Sequence, residues 1–163
     1  MNETTRTLYL LRHAKAKAPL PGQRDAAREL AGRGRRAAAA LGSRFAARGP
    51  LPELVVTSPA ARAAATAAEW ARAAGFPEGR IDRDERIYAA RVGTLLALIH
   101  ELDENLRSVL LVGHDPAFSE LAGQLAGRHL ALRTCAVAAF SIGCPWAGTS
   151  AAAAQLLHIE RPD

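Results

Sequence analysis

Aromatic residues are scarce in this chain, 5% of its 163 residues, and show no basic–aromatic interleaving of the kind that stacks bases. That argues against a surface that reads bases by stacking, although the net charge is +5 and the pI is near 10.0. The basic residues are nearly all arginine, scattered among alanines and acidic residues on helix-forming stretches. A solvated basic face accounts for them without nucleic acid. Cysteine is equally rare. Cys135 and Cys144 have no C-x-x-C spacing and make no framework, so both are expected to be buried or idle thiols. No apolar run reaches the length of a membrane span. The opening MNETTRT lacks the basic start and apolar block of a secretory signal, so a cytoplasmic address with no membrane partner is the expectation. Walker-type and G-x-G-x-x-G loops are missing, as is the G-x-S-x-G elbow of a serine hydrolase. No nucleotide cofactor is expected.

What is present is an alternation of short apolar runs and helical stretches, in a chain of a length suited to one domain over residues 1–163. Leu8 to Leu11 is short and continuous enough to be a buried strand of a parallel sheet. Residues 15–24, with Pro19, Pro21 and Gly22, form a loop. A helix is predicted over residues 35–48, with Leu41 and Phe45 facing the core and Gly32-Arg33-Gly34 breaking the pattern before it. A second strand covers residues 54–57. Ser58 as cap and Pro59 as first residue open a helix that runs to residue 74 and is closed by Gly75. A short strand lies around Ile81, and Leu95, Leu96, Ile99 and Leu102 place a helix over residues 92–106. A third core strand covers residues 108–112, followed by a helix over 117–126. Residues 135–142 and 153–159 form a hairpin. Strands alternating with helices imply an α/β fold, a three-layer α/β/α sandwich around a mostly parallel sheet with a C-terminal antiparallel hairpin.

Three of these apolar strands end in chemically capable groups. The first ends in Arg12-His13, the second leads through Ser58-Pro59 to Arg62, and the third ends in His114. In a parallel sheet these ends share one edge, where ligands of open α/β sheets bind. Two imidazoles and two guanidiniums around one small volume favour an anion. They disfavour a metal ion, since fixed positive charge opposes a cation and no third ligand accompanies the histidines. For Arg12-His13 alone, a basic surface turn is the more natural reading. The ordered set carries more weight.

Leu11-Arg12-His13-Ala14, Thr57-Ser58-Pro59 with Arg62-Ala63 and Thr66-Ala67, and Val112-Gly113-His114-Asp115-Pro116 together resemble the histidine phosphatase superfamily. The short chain and the Arg-His-Ala form look most like its SixA-type phosphohistidine phosphatase branch. Asp25-x-x-Arg28-x-Leu30 followed by Gly34 is similar to a further family element, although Ala31 stands where relatives carry a threonine that could cap a helix. The resemblance implies a phosphoglycerate mutase-like fold and a metal-independent phosphatase. It implies that His13 is the phosphorylated nucleophile and that Arg12, Arg62 and His114 bind the phosphoryl group. A neutral imidazole can attack phosphorus, and arginines can stabilise the equatorial oxygens where charge is spread. The non-attacking nitrogen of His13 then requires an acceptor that fixes its tautomer.

No residue stands out as the acid that protonates a leaving group. Glu85, in a charged stretch, is the best-placed candidate, and a solvated charge is an equally good reading of it. Lys15 and Lys17 can attract a phosphorylated substrate, though loop lysines need no such reason, and His100, His129 and His158 match no motif. The expected partner is a phosphorylated protein, met by a monomer. The alternatives are a phosphomonoesterase acting on a small phosphorylated metabolite, or a phosphate-binding module without turnover.

Overall fold

The computed structural model describes residues 5–162. In chain order these form β1 (Arg6–Arg12), α1 (Gly32–Arg48), β2 (Leu54–Thr57), α2 (Ala61–Ala74), β3 (Ile81–Arg83), α3 (Val92–His100), β4 (Ser108–Gly113), α4 (Ala117–Ala126), β5 (Val137–Ile142) and β6 (Ala154–Glu160). The strands make one sheet in the order β3-β2-β4-β1-β5-β6. The first four of that order are parallel, while β5 and β6 are antiparallel additions. Apolar side chains alternate across the sheet. Leu8, Leu10, Val109 and Leu111 meet Leu95 and Ile99 of α3 and Phe118 and Leu121 of α4 on one face. Leu11, Val55, Leu110 and Val112 meet Leu41 and Phe45 of α1 and Trp70 of α2 on the other. This is the expected α/β/α sandwich, and the C-terminal hairpin is the β5–β6 pair.

Register fixes where the chemistry falls. Arg12 pairs with Gly113 across the β1–β4 ladder, and Thr57 pairs with Val112 across β2–β4. His13, Ser58 and His114 therefore leave three adjacent parallel strands at one level. Gly113 is constrained by packing: a Cβ there would run into the ring of Phe118 and into Ile87.

Four boundaries depart from the sequence reading. Helix α1 begins at Gly32 rather than residue 35. The glycines do not break it, and Gly34 instead lets the helix approach the chain after β1, since an added Cβ would collide with the Lys15 carbonyl. The cap expected to be lost is lost: Ala31 stands at the N-cap without a side-chain hydrogen bond. Helix α2 begins at Ala61, so neither Ser58 nor Pro59 opens it. Helix α3 stops at His100, well short of residue 106, because Asp103 turns the chain by accepting from the Asn105 and Leu106 backbone N–H groups at 2.9 Å each. Leu102 and Leu106 still pack against the core from outside the helix. Strand β5 begins at Val137, because Cys135 sits at φ 61° and gives its N–H to the carbonyls of Arg12 and His13. No helix among the described residues is long and apolar enough to cross a membrane.

Candidate active site

The two strand-end imidazoles face each other with ring centroids 5.3 Å apart. His13 Nδ1 lies 2.8 Å from the backbone carbonyl of Ala14. A carbonyl only accepts, so Nδ1 carries the proton and Nε2 keeps its lone pair. Ala14 is itself held. Its N–H donates to Thr66 Oγ1 at 2.9 Å, and that hydroxyl donates to the Arg62 carbonyl at 2.7 Å. The His13 backbone N–H donates to Gly113 at 2.9 Å. Helix α2 thus fixes the tautomer of a ring carried by β1.

His114 Nε2 lies 2.8 Å from Ser58 Oγ, which also accepts the Ala60 N–H at 3.2 Å. Burial is the largest cause lowering both imidazoles from 6.5 to about 4. The charges of Arg62 and Arg12 push in the same direction for both rings, and Arg28 adds to this at His13. Both rings are neutral at pH 7.

The guanidiniums are positioned differently from each other. Arg62, in the first turn of α2 and 7% exposed, donates to the Asp25 carbonyl at 2.8 Å and to its carboxylate at 2.9 Å. Tyr88 donates its hydroxyl to the same carboxylate at 2.7 Å and sets its ring edge-on to His114, centroids 5.6 Å apart. Arg12 donates through Nη1 to the Leu132 carbonyl at 2.9 Å, with Asp115 at 3.5 Å. Its Nη2 has no hydrogen bond among the described residues. The edge therefore gathers Arg12, His13, Arg62 and His114 as expected from the sequence. Among the described residues, no cluster of three or more His, Cys, Asp or Glu could hold a metal ion.

The profile of the histidine phosphatase superfamily, branch 1, matches residues 8–88. An uncharacterised protein of Mycobacterium tuberculosis is 37% identical over 116 residues, which is 71% of this chain and 70% of the relative. The chain belongs to the histidine phosphatase superfamily. Two solved structures are similar over nearly the whole length. One, from Agrobacterium tumefaciens and described as a candidate SixA phosphohistidine phosphatase, superposes with a TM-score of 0.83 at 31% identity, covering 96% of this chain and 98% of that one. Another of the same description, from Nakamurella multipartitia, gives 0.83 at 29% identity over 97% and 96%. This histidine phosphatase is of the SixA type, with the phosphoglycerate mutase-like fold.

Four residues of this histidine phosphatase's site carry no role at the site in the sequence reading. Ser58 looked like a helix cap and instead contacts His114. Thr66 looked like a family motif residue and orients Ala14. Asp25 was visible only through the resemblance, because a 3-10 turn, Asp25–Ala27, carries it in from a loop with no apolar pattern. Tyr88 gave no signal, as it lies just past the short turn Glu85–Ile87. That turn exposes Glu85, which forms no side-chain hydrogen bond or ion pair among the described residues. The residue delivered to the site is Tyr88.

Asp25 cannot take over the acid's role in the free protein. Hydrogen bonds from Tyr88 and then Arg62 lower its pKa from 3.8 to about 2, so it is ionised at neutral pH.

Proposed function

We propose that this phosphatase removes the phosphoryl group from phosphohistidine on a protein, with His13 as the nucleophile. The observation that carries the reading is the His13 tautomer: Nδ1–H is committed to Ala14, so a neutral Nε2 faces the anion-binding edge. Attack of Nε2 on phosphorus forms the P–N bond to His13 as the P–N bond to the substrate imidazole breaks. Arg12 and Arg62 stabilise the equatorial oxygens, with His114 and Ser58 at the same edge. Water then attacks phospho-His13, phosphate leaves, and the neutral ring is regenerated.

The leaving group decides the substrate class. An alkyl phosphoester expels an alkoxide whose conjugate acid has a pKa of ~16 and needs a positioned general acid. Phosphohistidine takes a proton from solvent on its free ring nitrogen, which titrates near ~6.5, and then expels a neutral imidazole, so no positioned general acid is needed. Asp25 is held ionised, and no hydrogen bond ties Glu85 to the site, so neither is positioned as that acid in the free protein. The similarity to proteins described as phosphohistidine phosphatases supports the same reading.

Comparing three substrate classes on one enzyme preparation tests it. A phosphohistidine peptide should exceed an alkyl phosphoester by at least about a hundredfold in kcat/KM, the scale of a missing general acid. p-Nitrophenyl phosphate, with its good leaving group, should fall between. A sugar phosphate or phosphoserine peptide turned over equally well would overturn the reading.

A further inference from the structure

A second cleft, of about 350 Å³, opens on the same edge of the sheet as the phosphoryl site, and three of its lining residues are Lys15, Arg33 and Arg133. Its walls come from three separate parts of the chain. Lys15 follows β1, Arg33 lies in the first turn of α1, and Arg133 precedes β5. The edge is shared because Leu11, at the end of β1, pairs with Val137, and Val137 pairs with Glu160 just before Pro162, another lining residue. The cleft also shares a wall with the site. Cys135 lines it and gives its N–H to the carbonyls of Arg12 and His13 at 3.0 Å. Lys15 is two residues beyond His13, so their Cα atoms are at most about 7.6 Å apart.

The charge here is unbalanced. Lys15, Arg33 and Arg133 are exposed and have no ion pair among the described residues. Several nearby cations do have acidic partners: Lys17 meets Glu29 at 3.6 Å, Arg28 lies 3.5 Å from Asp25, and Arg44 and Arg48 share Glu160, whereas Arg36, one turn along α1 from Arg33, adds to the unpaired charge. The position of Arg33 is unfavourable for the helix itself. A helix N-terminus is the positive end of its dipole, and the first turn of α1 has neither an acidic residue nor a side-chain cap. Unpaired cations converging there repel one another until an anion arrives. Stacking residues are missing from the lining, so bases would find no platform.

We propose that this cleft is an anchoring subsite for acidic side chains that flank the phosphohistidine on the protein substrate. The phosphoryl group enters at His13 while neighbouring carboxylates sit among Lys15, Arg33 and Arg133. The inference rests on the phosphohistidine reading and adds how the partner is chosen. Attraction of this kind raises encounter rates and lowers KM without altering the chemical step.

Two synthetic phosphohistidine peptides, one flanked by Asp and Glu and one by Ser and Gln, test the idea. The wild type should prefer the acidic peptide by at least about tenfold in kcat/KM at low salt, with the difference carried by KM and shrinking as salt is added. The triple variant Lys15→Ser, Arg33→Ser, Arg133→Ser should lose that preference while kcat on p-nitrophenyl phosphate, which reports the chemical step at saturation, stays unchanged. A wild type indifferent to the flanks, or a triple variant that keeps the preference, overturns the subsite. Calorimetric titration with the unphosphorylated acidic peptide reads the subsite without turnover. Salt-sensitive binding lost in the triple variant supports it even if neither phosphopeptide is hydrolysed, a result that would count against the phosphatase reading alone. Equal binding to both proteins overturns it, as does preferential binding of an oligonucleotide at physiological salt.

Discussion

The candidate active site is built from two kinds of residue, and they are held by different physics. Arg12, His13 and His114 leave the ends of neighbouring parallel strands, so ladder register sets their spacing. Asp25 lies in one short 3-10 turn and Tyr88 just past another, on the exposed side, and Asp25 accepts hydrogen bonds from both Tyr88 and Arg62. The strand-end imidazoles are desolvated enough to stay neutral, whereas the Asp25 carboxyl is half exposed and firmly ionised. Buried backbone ladders thus hold the imidazoles, the Asp25 charge sits at the rim, and the buried Arg62 links the two.

Breaking the strand-end group should have the largest effect. His13→Ala should lose more than about a hundredfold in rate, because removing a covalent nucleophile removes the whole reaction path. The fold should persist, since the ring lies at the site edge rather than in either core cluster. Rapid-quench labelling should show an acid-labile, base-stable phosphoryl adduct on the wild type that the variant lacks. A variant retaining more than about a hundredth of the rate rules out His13 as nucleophile.

Arg62 tests the link between the two groups. Arg62→Ala should cost about 10²- to 10³-fold in kcat, as for other preorganised donors to developing charge. Arg62→Lys should recover only part of this, because an ammonium cannot reproduce the two-pronged geometry now directed at Asp25. Steady-state kinetics on p-nitrophenyl phosphate decide it, and full activity in the lysine variant would leave no role for the fork.

Acidity sharpens the contrast. His13 and His114 are lowered to about 4, so the proposed nucleophile His13 remains neutral until the pH falls through about 4. The acid limb of kcat/KM should therefore lie well below 6.5. Stability changes in the same direction. Between about 6.5 and about 4 the unfolded chain binds protons at these histidines that the folded protein does not, so stability falls as pH is lowered across that window. Melting temperatures at pH 5 and pH 7 should show the loss in the wild type and a smaller one in His114→Phe. A limb near 6.5 that does not follow the substrate's own phosphate ionisation, near ~6, would mean that a site imidazole is open to solvent.

The rim should yield the smallest effects. Tyr88→Phe removes one hydrogen bond to Asp25 and should cost about 1 kcal/mol, close to fivefold in rate. Glu85→Gln should leave kcat unchanged on every substrate. A large loss with Glu85→Gln confined to alkyl esters would identify it as a general acid and undo the argument for a phosphohistidine preference.

The three core strands, the alternating helices and the C-terminal hairpin were legible because apolar periodicity reports burial directly. The residues ending those strands, Arg12, His13 and His114, were legible for the same reason, and Arg62 because α2 follows β2 so closely. Helix starts were less legible. Gly34 reads as a breaker, but its small size serves a contact with Lys15, which is distant information. Only the tertiary structure decided that Ser58 turns to His114, that Ala14 accepts from the His13 ring, and that Asp25 and Tyr88 meet across 63 residues. Local pattern determines which side chains are buried and which strand ends carry polar groups. Partners that meet only when loops close over a sheet edge have no local pattern, since neither one alone gains or loses burial enough to mark its sequence.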